Sequence, residues 1–129
     1  MLKRHVPGGM HPPFSKYSHG VEVPPGARWL TLAGQLGVTE DGTVPRDAGE
    51  QARLCFTNMA IVLASAGMSY DDIVHLNTYV TDRAHIEGYR AARAQFMPDP
   101  PPSSTLLIVS GLANPDFKIE IEAIAAKAD

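Results

Sequence analysis

Two carboxylates near the C-terminus and a run of hydroxyls upstream of them are the residues in this chain best suited to chemistry. Glu120 and Glu122 sit two apart in Lys118-Ile119-Glu120-Ile121-Glu122-Ala123-Ile124-Ala125. Strand alternation puts them on one face with Lys118 and Ile124, and puts Ile119, Ile121, Ala123 and Ala125 on the other. A carboxylate held in a sheltered place can position or deprotonate a water molecule. The same group in the open is an ordinary solvated strand residue. Ser103-Ser104-Thr105 offers three hydroxyls, each able to donate and accept hydrogen bonds, or simply a polar start to a strand. Tyr17 adds a phenol near the N-terminus, and Arg90 and Arg93 add guanidinium groups late in the chain.

Other chemistries find no support. His5 and His11 lie in the N-terminal stretch, and His75 and His85 fall on different elements. No CxxC, HExxH or EF-hand spacing occurs, so no metal site is expected. His19 reads as a lone surface histidine. There is no Gly-x-Ser-x-Gly elbow, and Gly8-Gly9 and Gly34 do not make a phosphate loop. Cys55 is the only cysteine. It falls on a helical apolar stripe and reads as a small buried residue. One cysteine allows no intrachain disulfide and fits a reducing cytoplasm.

These groups need a scaffold, and periodicity supplies one. Residues 1–13, with Pro7, Gly8, Gly9, Pro12 and Pro13, read as an N-terminal arm. Phe14 to Val23 reads as a strand, Pro24-Pro25-Gly26 as a turn, and Trp29 to Leu36 as a second strand. In that strand Leu30, Leu32 and Leu36 share a face, opposite Trp29, Thr31, Ala33 and Gln35. Asp47 to Glu50 has the spacing of a capping box. The helix after it carries Ala48, Ala52, Cys55, Met59, Val62 and Ala66 on one stripe and stops at Gly67. Ile73 to Val80 is a third strand, with Val74, Leu76, Thr78 and Val80 facing one way and Ile73, His75, Asn77 and Tyr79 the other. Thr81 or Asp82 can cap a second helix with Ile86, Tyr89, Ala92 or Arg93, and Phe96 facing inward. Thr105 to Val109 is nearly all apolar, as expected of a strand covered on both faces. Lys118 to Ala125 is the last strand.

The order is β-β-α-β-α-β-β: an α+β fold with two helices on one face of a mixed sheet. The other face would carry Trp29, Ala33, Tyr79 and Ile124 beside polar groups. A half-apolar open sheet face usually meets a partner, and closed symmetric self-assembly is the simplest one. The chain has 129 residues, 44% hydrophobic and 19% charged, with a net charge of −3. That suits one globular domain over residues 1–129. It does not suit nucleic-acid binding, which needs a basic face. No apolar run approaches the roughly 18 residues of a membrane span, and no apolar stretch follows Lys3 and Arg4 as in a secretory signal.

Taken in order, the motifs resemble the RidA (YjgF, L-PSP endoribonuclease-like) family. Phe14-Ser15-Lys16-Tyr17-Ser18-His19-Gly20 resembles its proline-tyrosine-serine segment, and Leu32-Ala33-Gly34-Gln35 its serine-glycine-glutamine turn. Gln51 through Gly67, with Asn58 inside, resembles its long helix, and Asp72 through Val80 the strand that follows. Pro102-Ser103-Ser104-Thr105 stands where the family has proline-alanine-arginine-serine. Lys118 through Ala125 is the most diagnostic piece.

The resemblance implies a chorismate-mutase-like homotrimer with three clefts between subunits. There, active members hydrolyse enamines and imines such as 2-aminoacrylate to a keto acid and ammonia, without metal or organic cofactor. It implies that Glu120 orients the water and that Tyr17 lines the cleft. Ala33, Gln35, Ser104, Thr105 and Tyr89 fall at positions that would line the substrate pocket. Ser104 stands for the arginine that grips a substrate carboxylate, Ala33 for a serine and Tyr89 for an asparagine. A hydroxyl cannot reproduce a bidentate guanidinium, so a changed specificity is implied, with Arg90 or Arg93 as a displaced cation. The alternative is a trimer that binds a small metabolite without turning it over. The ribonuclease label of relatives is disfavoured by the acidic balance and the lack of a histidine acid–base pair.

Overall fold

Alternation of apolar and polar residues builds the last strand into the middle of the sheet. The computed structural model describes residues 1–129. Its elements are β1 (Lys3–His5), β2 (Gly20–Glu22), β3 (Arg28–Leu36), α1 (Ala48–Ser65), β4 (Ile73–Val80), α2 (Ile86–Phe96), β5 (Ser103–Ile108) and β6 (Ile119–Lys127). The main sheet runs β3-β6-β4-β5. β6 is antiparallel to both neighbours, and β4 and β5 are parallel. The parallel pair needs a crossover, which α2 provides. The sheet is therefore mixed, and both helices lie on one face of it.

Between sheet and helices lies a core that includes Phe56, Met59, Leu63, Leu76, Val80, Tyr89, Ile119 and Ile121. The helix stripe is wider than periodicity alone suggests, because Phe56 and Leu63 are fully buried beside Ala52, Cys55 and Met59. Asp47 caps α1 by accepting from the Glu50 N–H at 3.0 Å. Past the C-cap, Gly67 takes the positive φ (69°) that closes such a helix cheaply only for glycine. Asp82 is a cap too, but of a short 3₁₀ turn (Arg83–His85) that leads into α2. No helix is long and apolar enough to cross a membrane.

Four local expectations are corrected. Residues 14–19 are not strand: Tyr17 N–H turns back to Ser15 O, Ser18 makes one isolated bridge, and only Gly20–Glu22 forms a strand. Its partner is β1, inside the expected arm, so the order gains one strand. In β4 a register irregularity between Ile73 and His75 buries Ile73 and leaves Val74 half-buried. Finally, β5 is an edge strand with Thr105, Leu107 and Ile108 exposed, not one covered on both faces. Its apolar run reflects a surface left bare by its own chain.

Candidate functional site

The open face of the sheet gathers the side chains singled out above. β6 presents Glu120 and Glu122 there, because Ile119, Ile121 and Ala123 occupy the core. Glu120 stands between Leu36 of β3 and Tyr79 of β4. β3 would carry the wrong residues opposite it but for a bulge. Ala33 and Gly34 fall between the pairs Leu32↔Ala123 and Gln35↔Ile121, opposite the single residue Glu122. The extra residue reverses the alternation. Leu36 moves to the open face, and Gln35 takes the helix-side register of Ile121, contrary to the faces read from sequence. The Gln35 amide then bonds the Ala33 carbonyl at 3.0 Å, and Ala33 remains exposed on the open side.

At the bulge the Glu120 side chain lies against Gly34, where any β-carbon would overlap it. The Glu120 carboxylate has no hydrogen bond or ion pair within the chain, so its lone pairs are free. Glu122 is spent differently. Its Oε1 accepts from the Tyr79 hydroxyl at 2.6 Å and from the Asn77 amide at 3.3 Å. The string continues from Asn77 Oδ1 to His75 Nε2 at 3.0 Å, and from His75 Nδ1 to Ser103 Oγ at 2.7 Å. The bond to Glu122, reinforced by partial burial and the two glutamate charges, raises the Tyr79 pKa above 10.0. Beneath the bulge, the Cys55 thiol donates to Gln35 O at 3.2 Å. Burial, with the Glu120 charge adding to it, pushes that thiol up to about 12. Cys55 is thus a protonated core residue at neutral pH and no nucleophile.

Two side-chain amides, one buried and one half-buried, hold this arrangement in place. Gln51, fully buried, donates to Pro45 O (2.7 Å) and Asp116 O (3.0 Å) and accepts from the Lys118 N–H at 2.9 Å. It ties the start of α1 to the chain entering β6. Asn58 donates to Leu36 O and Val38 O at 3.3 and 3.1 Å, fixing the end of β3.

Several expected site residues lie elsewhere. Tyr89 is fully buried between α2 and the sheet, stacked near Phe56, and its hydroxyl accepts from Thr78 Oγ1 at 2.8 Å. It is a core residue, because its position on α2 points inward. Ser104 pairs with Leu76, a core residue, and so takes the helix side. Ser103, opposite His75, Thr105, opposite Asn77, and Leu107, opposite Tyr79, are the β5 residues on the open face. Arg90 is exposed, whereas Arg93 is buried in the helix layer. Tyr17 sits beside the start of β5, next to Ser18, which bridges to Ser103 and whose hydroxyl bonds Pro101 O at 2.6 Å. Its hydroxyl accepts from the Phe14 N–H at 3.2 Å, and its ring meets His19 edge-on. Glu120 is level with Leu107, four residues further along β5. Within one chain the two are thus about 13 Å apart along the strands.

His75 and Asn77 did not stand out as site residues. Their signal was their alternation with Tyr79, which places all three on the open face. Gly34 carries a signal of its own, since a lone glycine inside a strand pattern marks a bulge or the close approach of another group. No three His, Cys, Asp or Glu side chains converge as a metal ion requires.

Comparison with known proteins agrees with this architecture. The family profile described as Endoribonuclease L-PSP matches residues 9–127. The RutC family protein YjgH of Escherichia coli is 33% identical over 119 residues, covering 91% of this chain and 90% of that protein. The candidate reactive intermediate deaminase TdcF of the same organism is 30% identical over 97% of this chain and 94% of its own. Among solved structures, a Rid-family protein of unknown function from Yersinia pestis superposes with a TM-score of 0.84 at 31% identity, covering 98% of both chains. Escherichia coli TdcF with bound serine superposes at 0.73 with 29% identity, covering 98% of this chain and 96% of its own.

Proposed function

Because this chain belongs to the Endoribonuclease L-PSP family, which includes the RidA and YjgF proteins, we propose that it hydrolyses a small enamine or imine in a cleft between the subunits of a homotrimer. The observation that carries the reading is the Glu120 carboxylate, held against Gly34 on an open sheet face with no partner of its own. TdcF, described as a candidate reactive intermediate deaminase, supports the same chemistry. The trimer is supported by the apolar groups on that face: Trp29 is 60% exposed and Leu107 51%. Exposed groups of this size on a continuous face favour a partner.

In this mechanism a water held by Glu120 attacks the carbon of a protonated C=N bond. The new C–O bond forms as the π pair moves to nitrogen, and Glu120 takes the proton from the water. The carbinolamine then collapses: Glu120 hands that proton to the nitrogen, the C–N bond breaks as an oxygen lone pair forms the carbonyl, and the hydroxyl proton leaves with the nitrogen as ammonium. No redox partner is needed. Tyr17, contributed by a neighbouring subunit, closes the cleft and orients the substrate. With Thr105 and Leu107 in place of a cation on β5, the cleft favours substrates that do not depend on a carboxylate grip. The protein acts in the cytoplasm in this reading.

The test is to generate a short imine enzymatically and follow ammonia and carbonyl release. Glu120→Gln is expected to lower kcat/KM by about 10²-fold or more, and light scattering to give three times the 13.9 kDa subunit mass. Equal rates for wild type and Glu120→Gln would leave a metabolite-binding trimer as the better reading, and a monomer mass would remove the cleft itself.

A further inference from the structure

Arg93 is the only charged side chain buried in this chain, at 6% exposed. It sits on the inward face of α2 with Tyr89 and Ala92. Its guanidinium carbon lies 5.3 Å from the Tyr89 ring centroid, and one nitrogen donates to Ser15 Oγ at 3.1 Å. The ion pairs of the chain are His5–Glu22, Arg28–Asp129 and Arg53–Glu50, so no carboxylate stands within 4.0 Å of Arg93. A cation taken out of water normally meets an opposite charge. This one meets a neutral hydroxyl and a ring face, and its remaining guanidinium nitrogens keep contact with solvent.

Beside the guanidinium is a cavity of about 30 Å³, shared with Lys16 and Asp99 and walled by Met97, Pro98 and Pro101. That volume holds about two water-sized groups. A flat carboxylate fits so narrow a space with its two oxygens toward the guanidinium. The planar fork of an arginine matches a carboxylate in shape and charge. We propose that this cavity binds the carboxylate head of a small organic acid, with Arg93 as the buried anchor and Lys16 as the second cation at its mouth.

Asp99 lines the same cavity without pairing with either cation. Its charge opposes an incoming anion and keeps the affinity modest. The site lies in the helix layer, whereas Glu120 lies on the open sheet face, so it stands independently of the proposed hydrolysis. Ser15 and Lys16 lead directly into Tyr17, so an occupied cavity would also steady the segment that carries that residue.

The experiment is a titration of ¹⁵N-labelled protein with sodium acetate, with sodium chloride holding ionic strength constant. The Arg93 Nε–Hε resonance is assigned through bonds in the wild type and checked by its loss in Arg93→Lys. A saturable shift at millimolar acetate is expected, with none in chloride. Asp99→Asn is expected to tighten binding about threefold, and Lys16→Gln to weaken it by a similar factor. A shift that grows without saturating, or is equal in chloride, overturns the proposal. So does an acetate affinity unchanged in both Asp99→Asn and Lys16→Gln. Because the last two substitutions lie at the cavity rim, the outcome is decided even if Arg93→Lys fails to fold.

Discussion

Glu120 and Gly34 touch across the β3–β6 bulge: a β-carbon on Gly34 would lie 2.6 Å from Glu120 Cδ and 2.8 Å from Cγ, and would overlap Oε2. The backbone of Gly34 is not in the left-handed region, so alanine there suffers no conformational strain of its own. It only evicts the carboxylate. Gly34→Ala is therefore expected to leave the far-ultraviolet circular dichroism unchanged while lowering imine hydrolysis at least tenfold, because a displaced base loses its alignment with the reacting carbon. Full activity in a folded Gly34→Ala protein would show that the position of Glu120 is unimportant.

Adding a cation to β5 separates the two faces of that strand. Thr105→Arg projects a guanidinium onto the open face beside Asn77, while Ser104→Arg projects it to the side of Leu76. Turnover of a carboxylate-bearing imine such as 2-aminoacrylate is expected to rise in Thr105→Arg by about tenfold or more. Ser104→Arg is expected to bring no gain and to lower stability. A gain confined to Ser104→Arg would contradict the β5 register.

Tyr89 serves stability. Tyr89→Phe leaves the buried Thr78 hydroxyl without its acceptor, which costs about 1–3 kcal/mol in urea unfolding. The double variant Thr78→Val with Tyr89→Phe removes both polar ends and is expected to recover part of that loss. Neither should change kcat/KM by more than about twofold. A large activity loss at unchanged stability would return Tyr89 to the cleft.

The Tyr79–Glu122 bond makes an alkaline prediction. Because the folded-state pKa of Tyr79 is raised above 10.0, its contribution to stability is complete below that value. The contribution is lost as pH climbs through the raised one. Burial raises Tyr70 as well, so tyrosinate absorbance is expected to show late-titrating groups in wild type, one of which shifts earlier in Glu122→Gln and is lost in Tyr79→Phe. Superimposable curves for wild type and Glu122→Gln would dismiss the bond.

Much of this architecture is legible in the residues. β3, α1, β4 and β6 announce themselves because a long periodic segment has one dominant apolar face, as Ile119, Ile121, Ala123 and Ala125 do. β1 does not, because three residues carry no period and Pro7 and Gly8 follow at once. β5 is ambiguous for an energetic reason. An apolar edge strand and a buried one carry the same kinds of residue. Within the site, Glu120 follows from its motif. Its meeting with Gly34 does not, since a bulge depends on how two distant strands slip past each other. The bulge also inverts Gln35 and Leu36, the two residues after it. The Ser103–His75–Asn77–Glu122–Tyr79 string is likewise invisible until three strands are set side by side.

The distance between Tyr17 and Glu120 has a genetic consequence. If a working site borrows its phenol from one copy and its acid from another, two crippled alleles can rescue each other. Co-refolding Tyr17→Phe with Glu120→Gln protein at equal amounts would regenerate about a quarter of intact sites by random shuffling of subunits. The same mixture would stay dead if every site were furnished by a single polypeptide. Potency per milligram would also decline on dilution, in step with the assembly coming apart.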